Sequence, residues 1–264
     1  MTEKEKVAMT FMDHVRELLY RLRAMLIAII ISTVVAMLVP VTLDFSNITA
    51  ENPFYATITS NVIRHLQDRF KPPEAKLLPL DPIAPAESYF FISIILGIVI
   101  SSPAIFYELY KFINPALHKH ERGDATKFVG AFVGLFLFGL FMGYMYIVPM
   151  TMRMLFMFAN LLNLPPEYEF STFFSTIGLS LLLCGLIFTF PIYIVLLVKV
   201  GILKTQYITK NRKYLYGGLI IVIAIVDPEP GIMTESLVFL PLLVLTEISI
   251  LIAKRIEKKR EASQ

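Results

Sequence analysis

The side chains best placed to do chemistry in this sequence are a few carboxylates set among apolar residues. Glu108, Glu235 and Glu247 fall within or against long apolar stretches. An ionised carboxylate there is costly and needs a partner or a wet cavity. Glu108 and Glu235 lie near the ends of their stretches and are expected to reach water. Glu247 lies deeper, about 9 Å from Ala253 at 1.5 Å per residue, so it is expected to be buried and bonded to another helix. Two further acids stand in polar surroundings. Spacing makes Glu17 an i,i+4 partner for Arg21, worth about 0.3–0.5 kcal/mol. Glu121, in Lys119-His120-Glu121-Arg122, reads as a solvated loop charge. The usual catalytic patterns are missing: there is no His-Glu-x-x-His, no Walker loop and no dinucleotide fingerprint. Gly178-Leu179-Ser180 offers a serine inside an apolar stretch, but a serine nucleophile needs a base within hydrogen-bond reach. His14, His65, His118 and His120 all lie outside those stretches. Cys184 is the single cysteine, which excludes an intramolecular disulfide and a thiol metal site. Neither an enzyme nor a cofactor is expected.

The elements that must position these residues are membrane spans. Of 264 residues, 56% are hydrophobic and only 17% charged, with a mean hydropathy of +0.67. A soluble domain carries about 25% charged residues. The net charge of +3 is too small and too dispersed to attract nucleic acid. Acidic Glu3, Glu5 and Asp13 ahead of the first apolar run argue against an organelle transit peptide. Apolar runs near Ala24–Leu43, Tyr89–Leu109, Phe128–Met150, Phe173–Leu197, Tyr214–Val226 and Met233–Ile252 predict six spans in one polytopic membrane domain over residues 1–264. The fifth covers only about 20 Å at 1.5 Å per residue, so the bilayer must thin there or polar flanks must be carried inward, and the last two spans are expected to be short. A re-entrant hairpin of the last two runs is the rival reading.

Lysine and arginine set the orientation. The N-terminal tail holds Lys4, Lys6, Arg16, Arg21 and Arg23, and the second loop Lys111, Lys119, Arg122 and Lys127. The fourth loop holds Lys199, Lys204, Lys210, Arg212 and Lys213, and the C-terminal tail Lys254, Arg255, Lys258, Lys259 and Arg260. Only Arg64, Arg69, Lys71, Lys76 and Arg153 remain for the other side. Both termini are therefore expected in the cytoplasm.

Three local patterns add detail. Residues 11–23 predict an amphipathic helix along the cytoplasmic interface that then turns into the first span, with Phe11, Val15, Leu18, Leu19 and Leu22 on one arc and Glu17 opposite. In the long outer loop, Phe54, Ile58, Val62, Leu66 and Phe70 at four-residue spacing predict a short capping helix. The third span carries Gly130-x-x-x-Gly134 and Gly139-x-x-x-Gly143 on opposite faces, each able to admit a close helix. No internal repeat is visible, which counts against an inverted-repeat transporter. A proton-coupled small-solute transporter nevertheless remains the alternative function, because intramembrane acids can relay protons.

Longer motifs carry a resemblance. Phe11-Met12-Asp13-His14-Val15-Arg16-Glu17-Leu18 resembles the His-x-x-Glu-Leu motif that opens TatC proteins, the signal-peptide-reading subunits of twin-arginine translocases. Ser101-Ser102-Pro103 followed by Phe112-Ile113-Asn114-Pro115-Ala116-Leu117-His118-Lys119-His120-Glu121-Arg122 is similar to the family's second span and cytoplasmic loop. Phe188-Thr189-Phe190-Pro191 resembles its fourth span, and Asp227-Pro228-Glu229-Pro230, Pro241 and Glu247 its last turn and sixth span. The resemblance implies an all-α membrane protein of six transmembrane helices in a prokaryotic cytoplasmic membrane. It implies binding of twin-arginine signal peptides of folded cargo, and TatA/TatB-type single-span partners in an oligomeric, proton-motive-force-driven complex. Glu17 and Glu121 would receive the two arginines, with His14, Phe112 and Pro115 shaping the same surface. A carboxylate is the natural bidentate partner of a guanidinium, which lysine cannot imitate. The sequence departs from the family pattern at Leu19, where many relatives carry arginine, at Thr189, where a glutamate is common, and at Glu235, where a glutamine is common. An acid moved from one side of a partner-binding polar cluster to the other would connect the last two.

Cysteines placed at Ser60, Asn163 and Gly231 in a Cys184-free chain should react with an impermeant thiol reagent added outside the cell. Cysteines at Thr126, Lys210 and Ser263 should react only after the membrane is opened. Outside labelling at position 126 or 210 would overturn this orientation.

Overall fold

The computed structural model describes residues 11–40, 57–113, 125–226 and 232–261, almost all of them helical. In chain order the elements are α1 (Phe11–Leu38), α2 (Ile58–Phe70), β1 (Lys76–Leu78), α3 (Ala84–Ile113) and α4 (Ala125–Met142). A π-helical turn (Gly143–Ile147) joins α4 to α5 (Val148–Leu161). There follow β2 (Glu167–Glu169), α6 (Phe170–Phe188), α7 (Phe190–Val200), α8 (Thr205–Lys210), α9 (Arg212–Val226) and α10 (Ile232–Glu261).

Five stretches among the described residues are long and apolar enough to cross a membrane: Val15–Leu38, Ala84–Phe112, Thr126–Leu161, Phe170–Val200 and Thr234–Lys259. The remaining expected span, the fifth, corresponds to α9, which has only 15 residues, whereas the last span is not short: α10 runs for 30 residues. Most helices run past the ends expected from hydropathy, because polar residues at a span's ends extend a helix as readily as apolar ones, but α1 stops at Leu38, short of the expected Leu43.

The N-terminal segment departs from expectation. No turn separates residues 11–23 from the first span, and α1 is one continuous helix. Neither glycine nor proline occurs between Phe11 and Leu38 to interrupt it. It stops where Pro40 disfavours helical geometry at Val39. The two faces of its first turns are also reversed. Leu18, Leu19 and Leu22 are exposed, while Glu17 and Arg21 are largely covered, toward α3. A helix in lipid turns its apolar side outward and its polar side to protein. The exposed Ile27, Ile30, Ile31 and Val34 further along α1 follow the same rule.

Proline shapes the middle spans. Pro149 has no N–H for the helix ladder, and the π turn stands immediately before α5, in which it is the second residue. Pro191 divides the fourth span at Thr189. There the Thr189 N–H and hydroxyl both donate to the Leu186 carbonyl, at 3.0 and 2.6 Å.

At the end of the bundle away from the N-terminus, α2 forms the expected cap. Its Leu66 and Phe70 pack with Ile92, Val148, Met152 and Phe174; Phe54 lies outside the described residues. The cap is stitched to α1 and α3 by hydroxyls. The last carbonyls of α1, which lack helical donors, are taken up from neighbouring elements. Thr59 donates to Ala36 O at 2.9 Å and Tyr89 to Met37 O at 2.6 Å. A second fastening was not anticipated: β1 pairs in parallel with β2, Leu77 opposite Tyr168, joining two loops far apart in sequence.

The two glycine pairs of the third span behave differently. A Cβ on Gly139 would meet Cys184 O at 2.6 Å and Gly185 Cα at 2.9 Å, both backbone atoms of α6. Gly130 and Gly134 face nothing within 4 Å. Gly139→Ala should therefore lower stability by about 1–3 kcal/mol through overpacking, whereas Gly134→Ala should change it by less than about 0.5 kcal/mol. Thermal unfolding in detergent distinguishes them, and equal midpoints would contradict the close α4–α6 contact.

Candidate functional site

Where α1 begins and α3 ends, four charged side chains converge. Glu17 and Arg21 are one helical turn apart, and Glu108 and Lys111 occupy the last turns of α3. Arg21 Nε donates to Glu17 Oε1 at 3.1 Å and Nη2 donates to the same oxygen. Its Nη1 crosses between the helices to Glu108 Oε2 at 3.3 Å. Lys111 Nζ holds the other Glu108 oxygen at 2.9 Å. The side chains of Glu17, Arg21 and Glu108 are only 16, 15 and 17% exposed. Such half-desolvated, charge-assisted bonds are stronger than surface pairs. Glu108 does not reach open water as expected: the close approach of α1 and α3 sets Arg21 beside it. That approach is visible at Gly97, where any Cβ would collide with Thr33.

The arrangement is a guanidinium held by two carboxylates of different helices. Glu17 Oε2 is buried and has no partner among the described residues. Phe112, half-buried, ends the same helix as Glu108 and Lys111. His14 belongs to the first turns of α1. Pro115 and Glu121, expected at this surface, lie outside the described residues, as does the turn Asp227–Pro230.

The remaining polar residues separate. Glu247 accepts from the Tyr216 hydroxyl of α9, the interhelical bond expected of it, and also pairs with Arg212 at 3.2 Å. It is less buried than expected, with 31% of its side chain exposed, because the long Arg212 side chain brings its charge to meet it. Thr189 is buried, and Glu235 stands in the first turn of α10, where the helix dipole favours an acid. No hydrogen bond joins Thr189 to Glu235.

Sequence reasoning missed Glu257. It is buried, and it accepts from the Thr205 N–H and hydroxyl, capping α8 from the far end of α10. Nothing in the run Glu257-Lys258-Lys259 distinguishes it from a solvated charge. Lys111 was read only as a loop cation, although its i,i+3 spacing from Glu108 marked the pair.

Long apolar helices, a capped end and a carboxylate–guanidinium cluster at the other define a multi-spanning helical membrane protein. A profile described as Sec-independent protein translocase protein (TatC) matches residues 13–241. This chain belongs to the TatC family. It is 26% identical to the Sec-independent protein translocase protein TatCy of Bacillus subtilis, over all of this chain and 96% of that one. It is 28% identical to the TatC of Aquifex aeolicus, over 97% of this chain and 99% of its relative. A crystal structure of the twin-arginine translocase receptor TatC superposes with a TM-score of 0.71 at 28% identity, covering 92% of this chain and 99% of the other. The alternative of a small-solute transporter is not supported.

Replacing Glu247 tests its bonds. Glutamine keeps an acceptor for Tyr216 and should cost about 1 kcal/mol, while leucine strands both Tyr216 and Arg212 and should cost about 2–3 kcal/mol. Thermal unfolding in detergent measures both; equal, wild-type stability would mean that the pair contributes nothing.

Proposed function

We propose that this chain is the receptor subunit of a twin-arginine translocase. It binds twin-arginine signal peptides of folded cargo at the cytoplasmic face of a prokaryotic membrane. It recruits TatA/TatB-type single-span subunits into an oligomeric complex driven by the proton-motive force. The chain forms one polytopic domain with six spans and both termini inside, α9 being the short fifth span. Three observations support that orientation. Arg21 meets Glu108 where the N-terminal tail and second loop belong on one side. Glu257 meets Thr205 where the fourth loop and C-terminal tail belong there too. On the opposite side, β1 and β2 join the first and third loops.

The observation that carries the binding proposal is Glu17 with a guanidinium already on it. A carboxylate that holds Arg21 is chemically fit to hold a peptide arginine, and its second, buried oxygen lacks a partner among the described residues. Glu121 takes the other arginine, with His14, Phe112 and Pro115 flanking. Glu108 retains Arg21 when the peptide engages Glu17, keeping that cation from competing. Glu247 and Thr189 serve the bundle itself. Glu235 lines a cavity of about 110 Å³ with Ile220, Ile223, Ser236 and Phe239, and is the residue offered to a single-span partner.

Signal-peptide binding with Arg-Arg and Lys-Lys versions tests the reading. Glu121→Ala should leave insertion intact and weaken Arg-Arg binding by about 1.5–3 kcal/mol, or less if water screens the pair. Glu121→Lys should be worse than alanine. The Glu17/Glu121 double alanine should bind both peptides about equally. A double variant that still strongly prefers Arg-Arg would move recognition elsewhere.

A further inference from the structure

The outer side of this protein is poor in cations, and what it has is not scattered. Of Arg64, Arg69, Lys71, Lys76 and Arg153, three converge on one cleft. Arg69, in the last turn of α2, and Lys71, just beyond its end, form one wall, and Arg153 of α5 stands opposite. The cleft has a volume of about 400 Å³ and is otherwise lined by Phe70, Pro72, Pro73, Met145, Pro149, Met152 and Phe156.

Two features are unexpected for a surface of this kind. Asp68 and Glu74 are the nearest acids in sequence, yet neither forms an ion pair with the three cations. Arg69 instead stands over the Tyr144 ring, 5.8 Å from its centroid. The cleft also opens onto lipid-type surface, since Met145, Tyr146, Met157, Phe158 and Leu161 are all exposed. Cations above and bare apolar side chains beside them match a molecule with an anionic head and a hydrocarbon tail. The cations that remain uncompensated on the side where such residues are depleted then have a counter-charge.

We propose that this cleft binds an anionic phospholipid of the outer leaflet. The phosphate sits among Arg69, Lys71 and Arg153, and an acyl chain runs down beside Met145 and Phe156. Arginine suits the task because its fork bonds phosphate oxygens bidentately, and basic recesses between membrane helices recognise anionic headgroups in this way. The walls belong to the α2 cap and the proline-bent third span, so the lipid would act as mortar between them.

The test uses the full chain purified in detergent and depleted of native lipid. Phosphatidylglycerol should raise the unfolding midpoint by about 5 °C at saturation, and phosphatidylcholine or inorganic phosphate alone should not. The triple variant Arg69→Gln, Lys71→Gln, Arg153→Gln should lose most of that shift. The single Arg153→Gln, at an exposed position, should lose part of it and serves if the triple variant fails to fold. Native mass spectrometry should show one fewer tightly held phosphatidylglycerol in either variant. Equal stabilisation by phosphatidylcholine would overturn the proposal, as would an undiminished shift in the variants, which would place the lipid at another basic site. A shift produced by inorganic phosphate alone would also overturn it, assigning the cleft to a soluble anion.

Discussion

Hydrocarbon offers no hydrogen bonds, so each peptide group inside a bilayer must find its partner within the protein. Nearly every feature of this chain follows from that constraint. The long segments are helical because a helix alone pairs its backbone within one segment. Where proline removes a donor, the chain does not leave the helix but adjusts it, with a π turn at Gly143–Ile147 and a divided span at Thr189. Where α1 ends, Thr59 and Tyr89 supply the hydroxyls that its last carbonyls lack. The same scarcity governs charge: Glu247, Glu257 and Glu108 are each met by a donor from another helix or turn.

Much of this was legible from the residues. The apolar runs located five long spans and the short α9, and four-residue spacing located α2 with Leu66 and Phe70 inward. Other features were hidden for definable reasons. Spacing along one segment predicts the Glu17–Arg21 pair but not what lies across a helix gap, so the place of Glu108 depended on how closely α1 approaches α3. The reversal of α1 has a similar cause. Its periodicity reveals two faces and leaves open which one meets protein, and in lipid the answer is opposite to that in water. Glu257 was invisible because its partner, Thr205, is brought near only by folding. The three-residue strands β1 and β2 are too short to show alternation and exist only because their loops meet.

Under the proposed function, the cluster at Glu17 would let recognition and stability share residues. Arg21 joins α1 to α3 through Glu108 while also occupying the carboxylate assigned to an arriving peptide. A rigid pair would compete with its ligand, and an absent one would leave buried acids uncompensated. Two acceptors for one guanidinium remove the conflict, since Arg21 keeps a partner whichever carboxylate is taken.

The pairing of β1 with β2 has a consequence for biogenesis. During synthesis, Lys76–Leu78 emerges long before Glu167–Glu169, and the two stretches meet only after the intervening hairpin has been threaded through the bilayer. That fastening therefore closes late, and it requires both intervening long segments, α3 and α4–α5, to have crossed. A chain inserted upside down at the third pass would hold these two stretches on opposite sides of the membrane, with no way to mend the error by local rearrangement. In the proposed topology, a three-residue parallel contact of little energetic weight can form only once the intervening spans are in place.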